Sequence, residues 1–420
     1  MLEPNLQSPF SRSFKHQQKL QAILSEAASL FNHRGTRGTT LGDIAQRLGL
    51  NKASLYYYVK TKDELIYRCY LDSCDKIGQL IEQANEGSAT GLDRLTRFVE
   101  LFFGAWREIA LGNSPHYAIL WEIPALAKEH RKNIAARYSL LFKQVRQMVQ
   151  SGNTDGSLAV SEATASALAV FGLTQQAMLW LPELGPEKSA ATARLFVDVM
   201  LKGLATAAAP PAEVLPGRGQ RLTGFDREAQ RLQKQQAFIR AGSAIFNQKG
   251  FRGTSLDEIA ESLAVTKGAF YYHIKDKEEL LVHCFEQTTQ RIEAMQRLAV
   301  AQKGNGLDQI SRCLSYLFQS QQGEAGALIR FNMLISLPRP RRRQVVRKMQ
   351  TIRNRFAAML ATGFADGSIR QIDPFVAERL INGAINTCIE LQMVRTIKDP
   401  VAAGADFFQL ILTGLASKPR

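Results

Sequence analysis

FNHRGTRGTTLGDIAQRLGLNKASLYYYVKTKDEL, Phe31 to Leu65, recurs without a gap as FNQKGFRGTSLDEIAESLAVTKGAFYYHIKDKEEL, Phe246 to Leu280. The offset is 215 positions, about half of the pairs are identical, and most of the others are conservative. The repetition extends well beyond this stretch. Gly91-Leu92-Asp93 returns as Gly306-Leu307-Asp308 at the same offset. Further on, Asp155-Gly156-Ser157 matches Asp366-Gly367-Ser368, Gly172 matches Gly383, and Gly203-Leu204-Ala205 matches Gly414-Leu415-Ala416, all 211 apart. The second copy is therefore four residues shorter (215 − 211), with the difference expected in a loop around 104–119. Solenoid repeats run to roughly 20–50 residues, so a period this long means duplication of a whole unit.

Within one unit the apolar residues recur at helical spacing and no sustained alternation marks a strand. Leu20, Ile23, Ala27, Leu30 and Phe31 form a stripe that ends at Gly35. Thr40 to Asp43 has the spacing of a capping box, in which each end residue satisfies a free backbone amide of the other. Ser255 to Glu258 repeats that spacing, and Thr61 to Glu64 and Asp276 to Glu279 supply a second pair. Asn51 and Thr266 suit the N-cap of a short helix between them. Three helices of about 20, 8 and 7 residues followed by a longer fourth describe a helix-turn-helix fold.

The third of these helices carries the chemistry. Lys52-Ala53-Ser54 and Lys267-Gly268-Ala269 begin it with small residues that let the backbone approach a groove. Tyr56-Tyr57-Tyr58 and Tyr271-Tyr272-His273 end it with hydrogen-bonding rings. Such donors and helix N-termini contact phosphates, whereas base edges are read in the major groove. Lys62 and Lys277 sit one residue past their caps, where the helix dipole disfavours a cation by a few tenths of a kcal/mol. A nearby phosphate would reverse that effect. Leu55, Val59, Phe270 and Ile274 are read as core, and one tyrosine of each pair could be core as well.

Both segments resemble the DNA-binding domain of the TetR family of bacterial regulators. Thr39 or Thr40, Ile44-Ala45, Gly49, Leu55-Tyr56, Lys62 and Leu65 fill that family's pattern, as do Thr254 or Ser255, Ile259-Ala260, Gly268, Phe270-Tyr271, Lys277 and Leu280. Ala53 and Ala264 stand where the pattern has glycine, and Val59 and Ile274 where it has phenylalanine. The resemblance implies an all-α chain of two tandem units, each a three-helix DNA-binding domain followed by a helical effector and dimerisation domain. The expected boundaries are 14–65 and 66–207, a linker at 208–225, then 226–280 and 281–420. DNA-binding candidates are Thr39, Thr40, Lys52, Ala53, Ser54, Tyr56, Tyr57 and Lys62, with Thr254, Ser255, Lys267, Gly268, Ala269, Tyr271, Tyr272 and Lys277 in the second copy. The partner is a double-stranded operator.

The resemblance also places a four-helix dimer interface on the last two helices of each unit. The apolar face of Ala163, Ala167, Val170 and Phe171 agrees, since it requires a partner. Ala208 to Gly219 is a proline- and glycine-rich tether, and 208–225 spans at most ~60 Å when extended. An intrachain pseudo-dimer is therefore feasible. Phe98, Phe102, Trp106, Tyr117, Trp121, Phe318 and Phe331 are the candidate pocket residues for an unknown hydrophobic or acidic effector, although aromatics at this spacing are also ordinary core. The basic run Pro338 to Arg343, with Arg347 and Lys348, could face an acidic ligand such as a coenzyme A thioester, or simply water.

Composition bounds the alternatives. The chain has 420 residues, 53 Lys plus Arg against 38 Asp plus Glu, and a net charge of +15, which favours a polyanionic partner. No apolar run approaches the ~18 residues of a membrane span, and the first residues lack the apolar centre of a signal peptide. Five cysteines without a CxxC pair argue against a disulfide framework or zinc site and for a reducing cytoplasm. No nucleophile and base pairing, metal-ligand spacing or phosphate loop stands out, so no enzyme activity, metal or cofactor is expected. The expectation is a ligand-responsive repressor on an imperfect palindrome. Two alternatives stay open: a dimer of chains with one DNA-inactive head, or a small-molecule-binding scaffold with vestigial helix-turn-helix domains.

Overall fold

The computed structural model describes residues 12–206, 227–323 and 325–417; the expected tether at 208–225 lies outside them. The first half runs α1 (Arg12–Arg34), α2 (Leu41–Arg47), α3 (Lys52–Tyr58), α4 (Lys62–Asn85), α5 (Gly91–Ala110), α6 (Lys128–Asp155), α7 (Ala163–Trp180) and α8 (Ser189–Lys202). The second half repeats this as α9 (Arg227–Gly253), α10 (Leu256–Ser262), α11 (Lys267–His273), α12 (Lys277–Ala301), α13 (Gly306–Gln322), α14 (Arg339–Asp366), α15 (Pro374–Cys388), α16 (Leu391–Val394) and α17 (Pro400–Leu412). The shortening of the second copy falls in the expected region but mostly in a helix instead of a loop, for α13 has 17 residues against 20 in α5.

The caps show how local sequence sets these boundaries. Thr40 and Asp43 form the reciprocal box at α2. Ser255 accepts from the Glu258 amide, but the Glu258 carboxylate turns to Lys249 instead of closing a second box. Glu64 and Glu279 reach the amides of Lys60 and Lys275, one residue before the caps Thr61 and Asp276. Full boxes that the sequence reading overlooked stand at Thr90–Asp93 and Asn305–Asp308. Gly156 (φ 79°) and Gly367 (φ 76°) close α6 and α14 in the left-handed region.

The halves pack on one another through α7, α8, α15 and α17. Gly172 and Gly383 make the crossing close: a Cβ on Gly172 would lie 2.4 Å from the Thr387 side chain, and one on Gly383 would lie 2.7 Å from Leu173. The C-terminal segments of the halves also cross. Leu158 bridges to Ala416 and Ala205 to Ile369, related by the 211 offset. Charged pairs seal the rim, with Arg370 on Asp198 at 2.6 Å and Arg395 on Glu162 at 2.8 Å. One expectation is corrected here. Phe171 faces inward onto Phe98, Tyr138 and Phe142, while Leu173 and Gln176 meet the other half. Because α7 is buried nearly all round, its sequence has no polar side from which to read the orientation.

The two helix-turn-helix domains, head 1 (α1–α3) and head 2 (α9–α11), join the body differently. In head 1 the apolar line Leu65, Ile66, Cys69, Cys74, Ile77 and Ile81 of α4 runs unbroken into the main core. In the second half, Thr289 and Gln296 replace Cys74 and Ile81, and the core of head 2 forms a separate cluster around Phe238, Phe246, Phe270 and Phe285. All five cysteines are buried and free, and burial pushes the Cys74, Cys284 and Cys388 thiols up to about 12. They are packing residues. Among the described residues no helix is long and apolar enough to cross a membrane.

Candidate nucleic-acid interface

In head 1 the helix-turn-helix is built on Ile44, Ala45, Leu55 and Val59, all buried, so α3 turns its other face outward. Tyr57 is 70% exposed and its counterpart Tyr272 is 83% exposed. Large aromatic side chains of that exposure forfeit about 2 kcal/mol of burial each, which an unfilled binding surface explains better than core packing. Tyr56 and Tyr271 are exposed too, Tyr58 and His273 are half-buried, and Lys52, Ala53, Lys267, Gly268 and Ala269 are exposed. Thr40, Lys52, Tyr56 and Lys62 line one shallow cleft of about 360 Å³ on head 1. Residues separated by more than twenty positions thus converge on one cationic, hydroxyl-rich face.

Other candidates are placed differently. Thr39 and Thr254 are buried, and their hydroxyls donate to the carbonyls of Gly35 (3.0 Å) and Gly250 (2.8 Å). They pin the end of the first helix of each head, and the neighbouring caps Thr40 and Ser255 are the exposed members. Ser54 is half-buried, with its amide capped by Asn51 at 2.7 Å. Of the seven aromatic pocket candidates, Trp121 and Phe331 line a cavity of about 350 Å³ between the halves. Phe98, Phe102, Trp106, Tyr117 and Phe318 are buried core instead. Phe98 packs on Phe102 and on Phe171 of α7, Phe102 on Tyr117, and Phe318 on Phe408 of α17.

Lys62 and Lys277 are half-buried, and burial pulls both ammonium groups below the ordinary lysine value. Arg252 lowers Lys62 further, and Arg37 and Arg252 do the same to Lys277. These arginines belong to the loops after α1 and within the end of α9, a feature that sequence reasoning missed. The signal was present as Arg37-Gly38 and Arg252-Gly253 inside the repeat. Arg37 pairs with Glu278 at 2.7 Å and lies over the Phe251 ring at 5.2 Å, while Lys277 lies over the same ring at 4.6 Å. The heads therefore touch at a cluster of cations, whose mutual repulsion an anion would relieve.

The heads differ at one position of consequence. Asp257 stands where head 1 has Gly42. Its carboxylate pairs with Lys267 at 2.6 Å and accepts from the Tyr271 hydroxyl at 3.4 Å, and Lys267 is accordingly raised above its ordinary value. In head 1, Lys52 and Tyr56 have no such neighbour among the described residues, since Gly42 lies directly against Lys52.

Residues 23–69 and 238–284 both match the N-terminal domain of the bacterial regulatory proteins of the tetR family, and residues 88–204 match the tetracyclin repressor-like C-terminal domain. The chain belongs to the TetR family. It is a transcriptional regulator with two helix-turn-helix DNA-binding domains, and it is not an enzyme. The negative transcriptional regulator IcaR of the biofilm operon icaADBC in Staphylococcus aureus is 32% identical over 126 residues, covering 28% of this chain and 67% of that protein. The HTH-type transcriptional repressor KstR2 of Rhodococcus jostii is 26% identical over 44% of this chain and 90% of its own length. The match to the Tn10 TetC protein of Escherichia coli is 41% identical but spans only 30% of that protein. Among solved structures, the TetR-family regulator PfmR of Thermus thermophilus is 27% identical, covering 42% of this chain and 95% of its own, with a TM-score of 0.37.

Proposed function

We propose that this TetR-family chain is a cytoplasmic repressor that reads both halves of one operator with a single polypeptide. The observation that carries the reading is the direct contact of the heads, Arg37 of head 1 on Phe251 of head 2 and on Glu278 at the start of α12, above a packed bundle of α7, α8, α15 and α17. That arrangement supports an intrachain equivalent of a symmetric dimer. Each reading helix enters a major groove, with half-sites separated by roughly 34–36 Å or a related spacing. Lys52-Ala53-Ser54 and Lys267-Gly268-Ala269 present different side chains, so the operator is an imperfect palindrome. The descriptions of KstR2 as a repressor and of IcaR as a negative regulator favour repression. A small hydrophobic or acidic effector releases the operator by binding one arrangement of the heads better than the other, the only way a ligand shifts such an equilibrium.

Footprinting combined with sedimentation tests this. The expected result is two protected half-sites bound by one chain of 46.7 kDa. A single protected half-site, or a complex containing two chains, would overturn it.

A further inference from the structure

Two adjoining cavities lie between the halves on one side of the molecule. The larger, of about 990 Å³, opens between the end of α1 in head 1 and the start of α14 in the second half. Six arginines line it: Arg34 and Arg37 from head 1, and Arg339, Arg342, Arg343 and Arg347 from α14, with no carboxylate among the lining residues. Arg37 is paired with Glu278; among the described residues the other five form no ion pair. The smaller cavity, of about 350 Å³, adjoins it between α7, α14 and α15, and shares His33, Ile335, Arg342 and Val346 with the first. Its walls are mostly apolar, including Trp121, Leu173, Leu179, Trp180 and Phe331. Asn332 also lines it, is only 9% exposed, and has an Oδ1 with no hydrogen-bond partner. A buried acceptor left unsatisfied is destabilising by about 1–3 kcal/mol, which a ligand donor would relieve.

An arginine-lined cleft beside an apolar chamber selects one kind of molecule. We propose that the chain binds one amphipathic phosphate-bearing ligand here, its anion among the α1 and α14 arginines and its apolar body between the halves. Guanidinium forks match phosphate oxygens bidentately, which a single ammonium does not. The related position across the molecule is not equivalent. Lys249 replaces Arg34 and is engaged by Glu258, Ala136 replaces Arg347, and Glu129 replaces Pro340. The stoichiometry is therefore one ligand per chain. Its contacts join head 1 to the opposite half, so the ligand acts on head 1 first; this consequence for DNA rests on the repressor reading, whereas binding does not.

Titration calorimetry of the full chain without DNA tests the site, using octyl phosphate with inorganic phosphate and octanol as its two separate parts. One octyl phosphate per chain should bind at least tenfold more tightly than either part. The double variant R342A/R343A should weaken it at least tenfold, and R131A/K132A on the opposite side should leave it unchanged. Leu179→Trp, an exposed position that narrows the apolar chamber, should weaken octyl phosphate but not inorganic phosphate. Deuterium exchange should slow in 31–40 and 335–347. Binding no tighter than inorganic phosphate overturns the proposal, as does R342A/R343A that weakens operator binding while leaving octyl phosphate untouched, which would make the cleft a DNA contact. Because the titration contains no DNA, failure of the operator footprint leaves its result standing.

Discussion

Head 1 and head 2 share a sequence pattern yet present different surfaces to a duplex. Head 1 leaves Lys52 and Tyr56 uncompensated beside Gly42, and its core continues along α4 into the body. Head 2 neutralises Lys267 with Asp257, ties Lys277 to the Thr254 carbonyl at 2.8 Å, and keeps a core of its own. Duplication preserved the scaffold while charge and anchoring diverged. A carboxylate beside the reading helix subtracts from non-specific phosphate attraction, and it also offers an acceptor that favours a cytosine edge. Head 1 is accordingly expected to supply more of the affinity, and head 2 more of the discrimination.

The largest effect should come from K62A/K277A. Operator affinity is expected to fall on the order of a hundredfold, with the salt slope reduced by about two, as measured by fluorescence anisotropy across ionic strengths. Lys62→Ala should account for most of the loss, since the Lys277 ammonium is partly occupied within its own head. Equal losses from the two single variants would erase the distinction between heads. Next, Asp257→Gly should raise affinity for unrelated DNA several-fold by releasing Lys267, and Gly42→Asp should lower it. If both substitutions leave the binding curve unmoved, neither reading helix approaches phosphate in the way described.

A smaller effect concerns the backbone. Ala264 has φ 53°, in the region occupied at the matching place by Gly49 at φ 64°. Left-handed geometry disfavours a Cβ, so Ala264→Gly should stabilise head 2 by about 1 kcal/mol in denaturant unfolding. The same substitution at Ala53, which lies inside helical α3, should destabilise by a similar amount.

The smallest is a pH effect confined to head 1. The Thr40 side chain, and then its amide, hold the Asp43 carboxyl below the usual carboxylate range. A carboxyl lowered in the folded state stabilises fully above its unfolded value of about 4, and the contribution disappears as pH falls through the depressed value. Amide exchange in α2 should therefore accelerate below about pH 4. α10 lacks the reciprocal box, because Glu258 is drawn to Lys249, and it should show no matching step.

What could be read from residues alone was local. Caps, apolar spacing and turn glycines depend on neighbours within about four positions, and they place α1 to α4 and their copies, with Lys52 and Tyr57 on the outside. The repeat itself specified two heads. Packing between distant segments settled the rest. Phe171 turned inward because α7 is apolar on every side, and Thr39 was buried because its hydroxyl closes the turn after α1. Phe98 and Tyr117 became core once their neighbours filled the space a ligand would need. The contact of Arg37 with Glu278 joins residues more than two hundred positions apart, as does the meeting of Arg34 with Arg342 around one cleft. Such neighbours are chosen by how two folded halves dock, and docking depends on the shapes of completed surfaces, which no short window of sequence contains.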